Sequence, residues 1–362
     1  MARSGAQASH ITIPTKAERR RLVFLAAALS IAAAFACFVP VGTPVSPRDP
    51  NIEYVGRWDK SDPSRYHSYW GGAYLRVRFT GTSIRLKLAA PATVFVNIDG
   101  HEEELPWQIS GTATLNEHPL KDGAHTLTVA SFFQTSEIQF QGFILDRGAK
   151  TLPPATHKPL IEFVGDSITC GDKTSRWNLS AYPWLTGEAL GCDHTQIAQC
   201  GITLSDGYIQ WFPNAPKRGM QIQYFLQKEP NLNPNPAWDF RAYIPNVVVI
   251  NLGTNDGLLH VPPKLFEQNY RGFLQQIREK YPNTVVAAMR PVNGAYAEQI
   301  AAAVAGTSED DDHIHYIDTT GWLTPGSDFA PDGYHPSDEG QRKIAARLTP
   351  IIRRYLQNAN FR

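Results

Sequence analysis

EFVGDSITCG, residues 162–171, sets a small acidic and alcoholic cluster, Gly165, Asp166 and Ser167, directly after the apolar run 160–164. A serine in that place either caps the helix that follows or stands as a nucleophile at the rim of a sheet. The segments downstream bear on the choice. Residues 196–198, 247–252, 285–288 and 313–317 are also short apolar runs, separated by helical segments. Phe266, Tyr270, Phe273, Ile277 and Tyr281 recur every three or four residues, which predicts an amphipathic helix, and a last helix is expected over 337–356. Buried strands alternating with helices give an α/β fold, a parallel sheet covered on both faces whose ligands bind at the carboxyl ends of the strands. Ser167 follows the first of those strands.

Upstream the period changes to two. Leu75, Val77 and Phe79 alternate with arginines, Ile84, Leu86 and Leu88 with Arg85 and Lys87, and Val94, Val96 and Ile98 lead into an Asp99-Gly100 turn. Leu127 with Val129, and Ile138 with Phe140, continue the pattern. Short amphipathic strands between Gly, Pro and Asp turns predict an all-β sandwich, jelly-roll-like, with one wet face on each sheet. Residues 151–159 are proline-rich and read as a linker, as do the polar residues 42–50. The expected organisation is therefore a leader with its linker over 1–50, a sandwich over 51–150 and the α/β domain over 151–362.

The leader rests on Lys16, Arg19, Arg20 and Arg21 preceding the uncharged stretch 22–41. That is an export signature. At helical rise the stretch could cross a bilayer core of about 30 Å, so it reads either as a membrane anchor or as a signal peptide cleaved behind Ala34 and Ala36. Lys plus Arg equal Asp plus Glu at 34 each, which leaves no net field to attract nucleic acid or an acidic membrane surface, and a neutral, sugar-like partner fits better. Besides Cys37 there are only Cys170, Cys192 and Cys200, without metal-type pairing. Cys192 and Cys200 flank one expected strand and are held apart by it, so Cys170 with Cys200 is the candidate pair if any disulfide forms.

A nucleophilic serine needs a base, a group that holds the base, and donors for an oxyanion. In PDGYHPSDEG, residues 331–340, Asp332 and His335 lie three apart in a turn, where the carboxylate can fix the imidazole tautomer and leave Nε2 to face Ser167. Ser337 and Asp338 are better placed to cap the last helix. NLGTNDG, residues 251–257, ends a strand with Asn255, whose amide can donate; CGITLSDG, residues 200–207, ends another with Gly201, where the missing side chain lets the backbone N–H approach a substrate. Ser167, Gly201 and Asn255 would form the oxyanion hole.

In that order, GDS at 165–167, Gly201, GTND at 253–256 and DGYH at 332–335 resemble the four blocks of the SGNH (GDSL-type) hydrolases. The resemblance covers residues 159 to about 357 and implies the three-layer, flavodoxin-like α/β fold, Ser167 as nucleophile, His335 as base and Asp332 as its partner. A small sandwich ahead of such a domain is similar to carbohydrate esterase family 2, whose members remove acetyl groups from polysaccharides such as xylan and glucomannan. Some members lack the triad acid; Asp332 implies a full triad here.

The insertion 206–246 carries Trp211, Phe212, Tyr224, Phe225 and Trp238 among Asn and Pro residues; each ring taken singly reads as core packing, and together with Trp177 and Trp322 they suggest an aromatic platform for sugar, Trp211, Trp238 and Trp322 being the candidates. Asp310, Asp311, Asp312, His313 and His315 read as a solvated loop and strand rather than a metal site, and the chemistry needs no metal or cofactor. Asn178 opens an N-L-S sequon. The expectation is an extracytoplasmic serine esterase acting on acetylated oligo- or polysaccharide. The alternatives are a lipase, thioesterase or lysophospholipase with the same machinery, and a catalytically degenerate carbohydrate-binding protein. The oligomeric state is not legible.

Overall fold

The computed structural model describes residues 42–102, 106–155, 157–208, 218–230, 232–309 and 311–359. The apolar stretch 22–41, Trp211, Phe212 and Asp310 lie outside them. Among the described residues no helix is long and apolar enough to cross a membrane.

The first part of the chain is a two-sheet antiparallel sandwich. Its strands are β1 (Thr43–Val45), β2 (Ile52–Val55), β3 (Trp58–Asp59), β4 (Tyr66–Ser68), β5 (Tyr74–Thr80), β6 (Ile84–Leu88), β7 (Ala92–Ile98), β8 (His101–Glu102), β9 (Trp107–Ile109), β10 (Thr112–Thr114), β11 (Ala124–Ser131), β12 (Ile138–Leu145) and β13 (Thr151–Leu152). One sheet runs β10-β6-β12-β4-β3 with β1 on β12; the other runs β13-β5-β11-β7-β8 with β2 on β5 and β9 on β7. Leu75, Val77, Phe79, Ile84, Leu86, Val94, Val96, Leu127 and Val129 meet between them, as the alternation requires. Asp99 and Gly100 take φ of 56° and 84°, the positive values of the tightest hairpin turn, which Asp and Gly tolerate. Two stretches read as linkers contribute strands: Thr43–Val45 pairs with β12 and Thr151–Leu152 with β5. Each is two or three residues long, too short for a period to show, and pairing is supplied by the sheet edge it meets.

The second part is a five-stranded sheet, all parallel, of β14 (Leu160–Gly165), β15 (Asp193–Ala198), β16 (Val247–Asn251), β17 (Val285–Met289) and β18 (Ile314–Ile317), in the order β15-β14-β16-β17-β18. Its helices are α1 (Ser167–Cys170), α2 (Tyr182–Leu190), α3 (Met220–Gln223), α4 (Thr254–Leu258), α5 (Pro263–Lys280), α6 (Ala297–Ser308) and α7 (Asp338–Ala359). Along β16, Val248 and Ile250 face Phe266, Tyr270, Phe273 and Ile277 of α5, while Val247 and Val249 face Ile344, Leu348 and Ile352 of α7. Both faces are thus covered, and each fully buried Phe, Leu or Ile there contributes roughly 1.5–3 kcal/mol. Chain order reverses beside β14, so the crevice for ligands opens at the carboxyl ends of β14 and β16, where Ser167 and Asn255 follow.

Candidate active site

The turn after β14 assigns separate tasks to the residues of the opening stretch. A Cβ on Gly165 would fall 2.0 Å from Thr169 Oγ1, so only glycine lets α1 start this close to the strand. Asp166, not Ser167, caps α1: its Oδ1 accepts from the Ile168 amide at 3.0 Å. Full burial pushes the Asp166 carboxyl up to about 7, against the pull of that amide. The Ser167 hydroxyl is left for other use.

It meets His335. His335 Nε2 lies 2.9 Å from Ser167 Oγ, and Nδ1 lies 2.7 Å from Asp332 Oδ2. Asp332 Oδ1 accepts from the amides of Tyr334 and His335 at 3.0 and 3.1 Å, which folds the DGYH turn around the carboxylate. Partial burial works to raise the Asp332 carboxyl, but the His335 ring and these amides outweigh it and hold it down at about 2. With Asp332 ionised, the proton sits on Nδ1 and Nε2 accepts from the serine. Ser337 Oγ accepts from Gly340 N at 3.3 Å and opens α7, so the histidine is spared from capping. Gln341 of α7 then ties the last helix to the turn after β14 and to α2: Nε2 donates to Ile168 O at 3.0 Å and Oε1 accepts from Tyr182 N at 2.9 Å.

Gly201 takes φ of 76°, a left-handed conformation suited to glycine. Asn255, in α4 and buried, donates through Nδ2 to Ile202 O at 3.0 Å, which fixes the plane of its amide against the Gly201 loop. Ser167, Gly201, Asn255 and His335 line one cavity of about 450 Å³, together with Asp172 and Tyr334. Sequence reasoning missed those last two; the only signal was their adjacency to the GDSITCG and DGYH blocks. It also missed Gln134, a buried residue of the sandwich whose Oε1 accepts from Cys200 N and, at 3.3 Å, from the Cys170 thiol. The residue that steadies the loop before Gly201 therefore comes from the other part of the chain, a contact no local pattern encodes.

For the described rings the aromatic platform is corrected. Trp238 is buried among Tyr243 and the Arg57 guanidinium, and Tyr224 and Phe225 pack in the core, because these rings enclose a buried cation rather than face the cavity. Trp322 packs against the α7 side of the sheet and Trp177 against Phe132 and Phe133. The exposed ring at the cavity is Tyr334. Cys170, Cys192 and Cys200 are free thiols. Asn178 is fully buried and donates to Ser131 O, so the sequon offers no accessible acceptor. Asp311, Asp312 and His313 lie together, with Asp311 committed to Arg278 at 2.5 Å, and His315 stacks on Tyr355.

Residues 163–343 match the model of the GDSL-like lipase/acylhydrolase family. The chain belongs to that family. Residues 54–154 match the carbohydrate esterase 2 N-terminal model. A family two carbohydrate esterase from Clostridium thermocellum, solved in complex with cellohexaose, superposes with a TM-score of 0.73 at 26% identity over 84% of this chain and 99% of that one. The cellulase/esterase CelE of Acetivibrio thermocellus is 28% identical over 85% of this chain, which spans only 40% of that protein. An acetylxylan esterase/glucomannan deacetylase of Cellvibrio japonicus is 25% identical over 80% of this chain and 85% of its own length. Parallel sheet and antecedent sandwich together are the architecture of these family two carbohydrate esterases.

Proposed function

We propose that this chain is an extracytoplasmic serine esterase that removes acetyl groups from O-acetylated carbohydrate of the xylan or glucomannan kind. The observation that carries the reading is the hydrogen-bonded sequence Asp332, His335, Ser167 opening on a cavity walled by Gly201 and Asn255. Ser167 Oγ attacks the ester carbonyl while Nε2 takes its proton, and Asp332, ionised down to about 2, stabilises the imidazolium. The amides of Ser167 and Gly201 and the side chain of Asn255 donate to the oxyanion. His335 returns the proton to the leaving sugar oxygen, and water then hydrolyses the acetyl-enzyme. None of these steps needs a metal or an organic cofactor.

The substrate class draws its support from the named activities of the two bacterial relatives and from the antecedent sandwich, taken as an accessory domain over 51–150. The extracytoplasmic placement draws on the basic and then apolar residues 16–41. The test is acetate release from acetylated xylan, acetylated glucomannan and long-chain aryl esters by the same preparation, with fluorophosphonate labelling of Ser167 in parallel. Acetate from the glycans with labelling is the expected result. Labelling with preference for long-chain esters would move the reading to a lipase-like hydrolase, and folded protein without labelling would reduce it to a binding protein.

A further inference from the structure

A second carboxylate stands beside the base. Gly171, left-handed at φ of 73°, ends α1, and Asp172 follows with its amide donating to Ser167 O at 3.0 Å. Its Oδ1 accepts from Lys173 N at 2.9 Å, and Lys173 itself is held at φ of 66°. One oxygen is thereby fixed by the backbone, and the other, Oδ2, lies 3.5 Å from His335 Nε2 at the cavity wall. In the free enzyme this atom has no proton to share with Nε2, since both are acceptors when Nε2 receives the serine hydroxyl. Acylation changes that. Ser167 Oγ then carries the acetyl group and has no hydrogen left to donate, so Nε2 needs another donor.

Resting on the reading of Ser167 as nucleophile and His335 as base, we infer that Asp172 holds the hydrolytic water of the second half-reaction, with Oδ2 and His335 Nε2 as its two acceptors. Acceptors 3.5 Å apart can both be reached by one water at ordinary hydrogen-bond lengths of about 2.8 Å. The step balances. The water oxygen forms the bond to the acetyl carbon, its proton passes to Nε2, the bond from carbon to Ser167 Oγ breaks, and Nε2 returns the proton to Oγ as acetate leaves. The remaining water proton stays on the acetate or is lost to solvent. The Lys173 ammonium lies 4.0 Å from Asp172 Oδ1.

The arrangement discriminates between acceptors. Water has two protons, one for Nε2 and one for Asp172; an alcohol has one, which must go to Nε2, so its oxygen gains nothing from the carboxylate. Asp172 therefore favours hydrolysis of the acetyl-enzyme over its transfer to a hydroxyl.

The experiment uses 4-nitrophenyl acetate with methanol as the competing acceptor. Asp172→Asn keeps an acceptor for Lys173 N while replacing Oδ2 with a donor, and Asp172→Ala removes both. In each variant deacylation is expected to slow relative to acylation by roughly tenfold or more, seen as a burst of nitrophenolate, an acetyl adduct on Ser167 by intact mass, and a higher ratio of methyl acetate to acetate than wild type. The product ratio is independent of the fraction of active protein, so partial misfolding of one variant does not obscure it. An unchanged ratio with acylation and deacylation falling together, or no change in either, overturns the role of Asp172 while leaving the nucleophile in place. Failure of the wild type and both variants to take an acetyl group on Ser167 overturns the nucleophile assignment and this inference with it.

Discussion

Strand β14 carries two polar clusters. At its carboxyl end, Ser167, His335 and Asp172 line a cavity open to solvent, with Asp332 behind the His335 ring. Within it, Glu162 is fully buried and accepts from Tyr224 Oη at 2.5 Å and from Tyr243 Oη. The Arg57 guanidinium, sent across from the sandwich, sits over the Tyr224, Trp238, Phe240 and Trp70 rings at 4.8 to 6.0 Å and donates through Nη1 to Tyr224 O and Leu226 O. Both clusters join charge to hydrogen bonds. The difference lies in what is closed. Arg57 is fully buried among rings and carbonyls from the other part of the chain, so the cluster holds the two parts together; at the strand end one wall is cavity, and a hydroxyl, an imidazole and the Asp172 carboxylate face it.

Ser167→Ala should separate the clusters most sharply. Loss of the proposed nucleophile is expected to reduce acetyl-ester turnover by about 10⁴-fold or more with the melting temperature unchanged, and a large shift in melting would show that Ser167 is part of the packing. Arg57→Ala reverses the pattern. Removing one partner of a buried ionic cluster costs about 3–5 kcal/mol, so denaturant unfolding should show a drop of that order while protein still folded at low temperature retains fluorophosphonate labelling. Equal stability of variant and parent would mean the joint is held elsewhere.

Asn255→Ala is expected to lower kcat by about 10²–10³-fold with a smaller change in KM, and unaltered kcat would take the amide out of the oxyanion hole. The smallest effect tests the turn between the clusters. Asp166 titrates near 7 when folded, above its ordinary value of 3.8. Between these values the native state binds more protons than the unfolded one, so stability falls as pH rises through the window and stays reduced above it. Asp166→Asn keeps a cap for Ile168 and should stabilise by up to a few kcal/mol at pH 8 but little at pH 4. A gain of the same size at both values would place the effect in packing rather than charge.

Much of the site could be read from residue types because each block closes on itself. Gly165, Asp166 and Ser167 form one turn, and Asp332, Tyr334 and His335 another; hydrogen bonds two or three residues long are visible in a string of letters. The platform reading failed for the described rings of the insertion for the opposite reason. Tyr224 and Trp238 look like a sugar platform until Arg57, more than 160 residues away in sequence, is found among them. Gln134 and Gln341 gave no signal, since a lone glutamine in a turn or on a helix looks like surface.

The sequence by itself determined the two periodicities, the strand ends and the short turns that present a serine, a histidine and its carboxylate, because sterics and local hydrogen bonding act over a few residues. Only the tertiary structure decided that His335 reaches Ser167 across 168 positions, that Asp172 faces the same imidazole, and that the sandwich supplies Arg57 and Gln134 to the other domain. Those contacts come from the packing of whole layers, and their energy depends on which faces are buried together rather than on any short stretch of chain.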